Sequence, residues 1–146
     1  TKPPVDKLLP NTIHPLMQPK TLVLNLSDTL IKSEYIFGKG LVIHKRPGLN
    51  QFLKKVSQIY EVVIFSNDDS MFLSTVYPAS IPASDDSGSV WEIVHGYSGG
   101  HYIKDLKYLN RDLNKIVVVD IDRNNVKKHP QNVVLLSHYK GDESDR

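Results

Sequence analysis

Thr21-Leu22-Val23-Leu24-Asn25-Leu26-Ser27-Asp28-Thr29-Leu30 is the stretch on which the reading of the fold turns. Its first six residues are a short, mostly apolar run of the kind that suits a strand buried on both faces, and polar residues follow it at once. The same grammar recurs further along. Tyr60–Phe65 runs into Ser66-Asn67-Asp68-Asp69-Ser70, Ile116–Asp120 runs into Ile121-Asp122, and Asn132–Leu136 reads as a last strand. Apolar runs that each end in a polar loop predict an α/β sheet with its chemistry gathered at the carboxyl ends of the strands.

Between these runs the pattern changes. Leu41–His44 is a further candidate strand, set off by Gly38 and Gly40. Pro47 sits where a first helical turn tolerates it, and Leu49, Phe52, Leu53, Val56 and Ile59 then mark one face of an amphipathic helix. A short helix through Met71–Val76 is expected to stop at Pro78, and Pro78–Ser89 reads as a loop. Val90–Val94 and His101–Ile103 are expected to form a small hairpin around Gly96–Gly100, and Leu106–Leu109 a single helical turn. Residues 1–20 carry Pro3, Pro4, Pro10, Pro15 and Pro19, so an extended arm is expected there, lying along the domain surface through Leu8, Leu9, Ile13, Leu16 and Met17. No internal repeat is visible.

Composition excludes several functions. The 146 residues amount to one compact domain, 40% hydrophobic and 23% charged. A net charge of +2 without any run of Lys or Arg gives no footprint for nucleic acid. Cysteine is absent, which removes disulfides and thiolate metal sites and leaves the redox compartment open. The longest apolar runs, such as Val62–Phe65 and Val133–Leu136, are strand-sized, far below the roughly 18 residues of a membrane span. The chain starts without methionine and ends after Asp142-Glu143-Ser144-Asp145-Arg146, so it is read as a fragment, truncated at the C-terminus, with any targeting segment or anchor outside it. The six histidines show no paired helical metal spacing and are read as surface residues.

The three strand ends supply the candidate site. One offers Asn25, Ser27, Asp28 and Thr29, the second Ser66, the third Asp120, while Lys104 precedes the third strand on its own segment. A carboxylate-rich loop, a hydroxyl, a lysine and another carboxylate are the parts of an aspartyl-phosphate phosphatase site. Against that stands the plainer account that polar residues often do no more than terminate strands.

Taken with their neighbours, these residues resemble a known family. The stretch from Leu22 to Leu30 looks like the DLDxTL signature of the FCP/NIF branch of the haloacid-dehalogenase-like phosphatases. Lys45-Arg46-Pro47-Gly48 with Phe52-Leu53 looks like that branch's KRPG…FL segment, and Tyr60–Ser66 like its second motif. Ile103-Lys104-Asp105-Leu106, Leu109–Leu113 and Val117–Asp120 resemble the third and fourth. The motifs stand in family order across residues 21–136. The resemblance implies a Rossmann-like parallel sheet with helices on both faces and a small β-hairpin insertion, occupying residues 21–146. Within the branch, His101–Leu106, Leu109–Asp112, the prolines before Thr21 and Tyr139–Arg146 are similar to receptor subunits of the mitochondrial presequence translocase. That likeness implies the mitochondrial inner membrane, a domain facing the intermembrane space, and membrane association through a segment or partner outside this chain. It implies as partners incoming presequences and other subunits of the translocase, with no nucleic acid.

In active relatives the first signature aspartate attacks phosphorus, and here that position is Asn25. A neutral carboxamide is a far poorer nucleophile than a carboxylate. The second aspartate is the general acid and base, and here it is Ser27, whose hydroxyl does not titrate usefully. The polar ligand that follows the fourth-motif aspartate is here Ile121, after Asp120, which removes an oxygen from the magnesium site. Each positioned group is worth roughly 10²-fold or more in rate, so the resemblance predicts a pseudophosphatase with no metal and no cofactor. Thr29, Ser66, Lys104 and Asp120 survive, with Lys104 expected to pair with Asp120. An active phosphatase, a phosphopeptide-binding module using Ser66 and Lys104, and a scaffold subunit of a larger inner-membrane complex remain as alternatives. A presequence is a basic amphipathic helix, so its receptor needs acidic groups beside apolar ones. Asp68, Asp69, Trp91, Glu92, Tyr97 and Tyr102 are the candidates, whereas Asp85-Asp86 reads better as a solvated loop tip.

Overall fold

The computed structural model of the chain describes Leu9 and residues 19–66, 90–94, 97–98, 101–102 and 106–142, with backbone only for 90–94, 97–98, 101–102, 107–108 and 125–126. Met71–Val76 and Pro78–Ser89 lie outside the described residues.

The centre is a five-stranded sheet in the order β5-β4-β1-β8-β9, all of it parallel. Its strands are β1 (Thr21–Leu24), β4 (Glu61–Ser66), β5 (Val90–Val94), β8 (Ile116–Asp120) and β9 (Val133–Leu135). Val, Ile and Leu dominate the three central strands because both faces of that part of the sheet are covered. Alternate residues feed two separate cores. Leu22, Leu24, Val62 and Ile64 pack with Leu49 and Leu53 of the helix α1 (Leu49–Ser57). Val23, Val63, Phe65 and Val118 face the other way, onto Leu106 and Leu109 of a short 3₁₀ turn. Helices therefore lie on both faces, as the resemblance implied. Leu9 joins this second core at 3% exposure, and its carbonyl accepts a bond of 3.0 Å from the Asn110 amide.

At the amino end of the sheet, Arg111 and Glu61 form a bidentate pair with contacts of 2.7 and 2.8 Å, and Thr21 Oγ1 donates to the same carboxylate at 3.0 Å. The pair ties the starts of β1 and β4 to the segment entering β8, the end opposite to the candidate chemistry.

Several expectations need correction. Val90–Val94 does not form a hairpin with His101–Ile103 but lies alongside β4, Val62 opposite Val90 through Ser66 opposite Val94. The glycine turn closes a shorter hairpin, β6 (Tyr97–Ser98) with β7 (His101–Tyr102). Leu41–His44 belongs to β3 (Gly40–Lys45), which pairs antiparallel with β2 (Ile31–Ile36) in a sheet of its own. β2 escaped the sequence reading because Lys32, Ser33 and Glu34 interrupt its apolar pattern. Pro47 lies ahead of the helix, whose N-cap is Gly48 at φ 84°, a backbone state that favours glycine. Ile59 falls beyond the nine-residue helix and is 67% exposed, and Phe52 sits on its flank at 39%, so only Leu49, Leu53 and Val56 make the packed stripe. The last strand, β9, is an edge, with Val134, Leu135 and Leu136 partly open to solvent.

Candidate functional site

β1 ends at Leu24; Asn25 keeps one more ladder bond, from its backbone N–H to Val119 O at 3.0 Å, and the chain then turns back on itself. Leu30 and Ile31 both donate to Leu26 O, and Asp28 donates to Ile31 O at 2.8 Å. Asp28 holds φ 61°, a left-handed state that a short polar side chain tolerates better than a bulky one. The parallel register places the ends of β1, β4 and β8 side by side, with Leu24 opposite both Ile64 and Val119. Asn25, Ser66 and Asp120 therefore share one edge of the sheet, all three buried.

Asn25 is turned inward on its own loop. Its Nδ2 donates to Ser27 O at 2.9 Å and to Thr29 Oγ1 at 2.8 Å. A backbone carbonyl accepts only, so the nitrogen of the amide must face Ser27. Both amide hydrogens are thereby engaged within four residues of sequence. A carboxylate here would set oxygen against oxygen at Ser27.

Asp120 is likewise occupied with its own turn, Oδ1 accepting from the backbone of Ile121 at 2.6 Å and of Asp122 at 3.2 Å. Ser66 closes β4 at 0% exposure, and Ser27 makes a single bridge with Ile31 at the loop's rim. Thr29, also fully buried, is the acceptor for Asn25. Ile121 is half-buried and brings no oxygen side chain to the edge. Lys104 lies outside the described residues, and so does its expected pairing with Asp120. Among the described residues no group of three or more His, Asp or Glu is arranged to hold a metal ion.

Asp68 and Asp69 lie outside the described residues; Trp91 and Glu92 stand on β5 opposite Val63 and Ile64; Tyr97 and Tyr102 face each other in register in β6–β7.

Sequence reasoning gave no role to a second layer that holds the loop. Arg46 donates from Nη1 to Thr29 O at 3.0 Å and from its backbone to Leu30 O at 2.8 Å. Tyr139, 2% exposed, donates from its backbone to Asp28 O at 2.7 Å and from its hydroxyl to Lys45 O at 3.0 Å. The Arg46 guanidinium lies 5.7 Å from the centre of the Tyr139 ring, within cation–π range. The signal available beforehand was the Lys45-Arg46-Pro47-Gly48 motif, whose arginine reaches back to the loop. Beside β9 lies a cleft of about 320 Å³ lined by Arg123, Asn124, Lys127, Pro130, Val133 and Leu135, and it includes no residue of the candidate set.

The chain has relatives among known proteins. The family model described as NLI interacting factor-like phosphatase matches residues 20–146. Over 144 residues the chain is 38% identical to the mitochondrial import inner membrane translocase subunit tim50 of Aspergillus fumigatus, covering 99% of this chain and 29% of that protein. The subunit TIM50-B of Drosophila melanogaster is 35% identical over 150 residues, with 36% of it covered. The chain thus spans well under half the length of these curated relatives. Among solved structures, the fission yeast RNA polymerase II CTD phosphatase Fcp1-R271A bound to beryllium fluoride superposes with a TM-score of 0.64 at 21% identity, over 84% of this chain and 42% of that one. A further Fcp1 structure gives 0.66 at the same identity and coverage. At that identity the likeness speaks for the fold alone.

Proposed function

The chain belongs to the NLI interacting factor-like phosphatase family, and from that premise we propose that it is a catalytically inactive member serving protein import across the mitochondrial inner membrane. The observation that carries the loss of catalysis is Asn25, whose amide hydrogens are committed to Ser27 O and Thr29 Oγ1. A group locked by two bonds to its own loop, and neutral besides, cannot act as the attacking oxygen. Ser27 offers no titratable proton for the leaving group and Ile121 no oxygen for magnesium. The import role is supported by relatives whose names place them in the inner-membrane translocase.

In this reading the domain faces the intermembrane space, receives presequences and passes them to other translocase subunits. Residues 1–20 form an arm laid on the domain, consistent with the burial of Leu9. The receiving surface is built from Asp68, Asp69, Trp91, Glu92, Tyr97 and Tyr102, acids for the basic face of the incoming helix and aromatics for its apolar face. Anisotropy of a fluorescent presequence peptide tests this. Micromolar binding that weakens with salt and with Asp68→Asn/Asp69→Asn supports the receptor. A peptide that stays free at all concentrations leaves a scaffold subunit of the same assembly. Hydrolysis of an aryl phosphate with magnesium, or a phosphorylated intermediate on the chain, would overturn the non-enzyme reading.

A further inference from the structure

β9 closes the five-stranded sheet, and among the described residues no further strand lies beside it. Leu136 N–H donates to Asp120 O at 2.8 Å, on the β8 side. Successive residues of a parallel strand turn their backbone groups to alternate sides, so the N–H and C=O of Val133 and Leu135 face the open edge. Such a row of donors and acceptors is a template for another extended chain. Folds commonly blunt an edge of this kind with charge or proline. Here Val134, Leu135 and Leu136 follow one another instead, 48%, 38% and 40% exposed.

The same edge forms one wall of the cleft of about 320 Å³. Val133 and Leu135, with Pro130, make that wall apolar, while Arg123 and Lys127 make the lining cationic. From Arg123 to Gly141 the chain carries no Asp or Glu, against Arg123, Lys127, Lys128 and Lys140. Asp122, just ahead of the cleft, has its Oδ1 on the Asn124 backbone N–H at 2.9 Å. The charge selects the occupant. A second copy paired edge to edge would bring Arg123 and Lys127 up against their own counterparts. A basic amphipathic helix is repelled, and its backbone groups are already spent within the helix. A small anion finds only exposed cations and an aliphatic wall. An extended segment with both acidic and aliphatic side chains fits throughout, its backbone on Val133 and Leu135, its carboxylates on Arg123 and Lys127.

We propose that the cleft beside β9 receives an extended acidic segment of a partner protein, which adds a strand to the free edge. The proposal goes beyond the import reading and does not rest on it. The probe is a short fluorescent peptide repeating Val-Leu-Glu-Glu, which places both residue types on each face of a strand, added to the whole chain and followed by anisotropy. Micromolar binding that weakens with salt is expected. Arg123→Glu/Lys127→Glu should lower it about tenfold or more without moving thermal unfolding, because both side chains are exposed. The same peptide N-methylated at alternate residues should not bind, having lost the donors along its edge. Amide exchange of Leu135 should slow when the peptide is added, while that of Leu136, already bonded to Asp120, stays as it was. A peptide that remains free, equal binding of the N-methylated peptide, or unchanged exchange at Leu135 would each overturn the proposal. So would tighter binding of a Val-Leu-Lys-Lys repeat, or sedimentation as a dimer that the Arg123→Glu/Lys127→Glu variant leaves intact and that excludes the peptide.

Discussion

The side-chain nitrogen of Asn25 lies 2.8 Å from Thr29 Oγ1, a buried bond between two residues of one loop that closes the loop on itself. Together with the bond to Ser27 O it commits the amide nitrogen of Asn25 to the loop's own structure.

Restoring the charge should therefore fail to restore chemistry. Asn25→Asp would turn a carboxylate oxygen toward Ser27 O and bury a charge, costing about 1–3 kcal/mol of stability. No aryl phosphatase activity is expected with magnesium, because Ser27 and Ile121 are unchanged. Urea unfolding and a turnover assay on the same preparation decide it, and a stable, active variant would contradict the account.

Arg111 and Glu61 meet across 50 residues of sequence with side chains only 5% and 13% exposed. Removing one partner leaves the other buried and uncompensated, so Arg111→Ala should cost about 3–5 kcal/mol. Arg111→Lys should also lose stability, since an ammonium cannot reproduce the two-pronged contact. A denaturation midpoint unmoved by Arg111→Ala would show the pair to be exchangeable with water.

Tyr139 and Arg46 hold the loop from outside. Tyr139→Phe removes the bond to Lys45 O and should cost about 0.5–1.5 kcal/mol. In a double-mutant cycle, Tyr139→Leu and Arg46→Ala should couple by about 0.5–1 kcal/mol through the stacked guanidinium. Hydrogen exchange at Asp28, Leu30 and Ile31 should quicken in either variant. Strictly additive effects would remove the stacking from the explanation.

Gly48 tests backbone conformation alone. Nothing lies within 4 Å of a Cβ built there, so Gly48→Ala meets no clash, yet its φ of 84° is left-handed. A cost of about 1–2 kcal/mol is expected from the dihedral preference of an L-residue. A neutral substitution in thermal unfolding would mean that the start of α1 can relax.

How much of this was legible beforehand depended on the range of the interaction involved. β1, β4 and β8 were readable because unbroken Val, Ile and Leu runs suit strands covered on both faces. β2 was not, because a half-exposed strand with Lys32, Ser33 and Glu34 resembles a loop to any local rule. Val90–Val94 was recognised as a strand but given the wrong neighbour, since its partner β4 lies farther off along the chain than its apparent partner. Asn25, Ser66 and Asp120 were read as strand-end residues and stand side by side at the ends of β1, β4 and β8, whereas Arg46 and Tyr139 received no role.

By itself, then, the amino-acid order determined which segments become buried strands, the order of the family's motifs along the chain, and the amide at position 25. These follow from short-range sterics, hydrophobic periodicity and covalent identity, which act within a few residues. Only the tertiary structure decided that β5 lies beside β4, that Glu61 finds Arg111, that Tyr139 closes over a loop more than a hundred residues earlier, and that the Asn25 amide turns inward. Such pairings depend on which distant surfaces can be buried together with every polar group satisfied, a competition that no local pattern encodes.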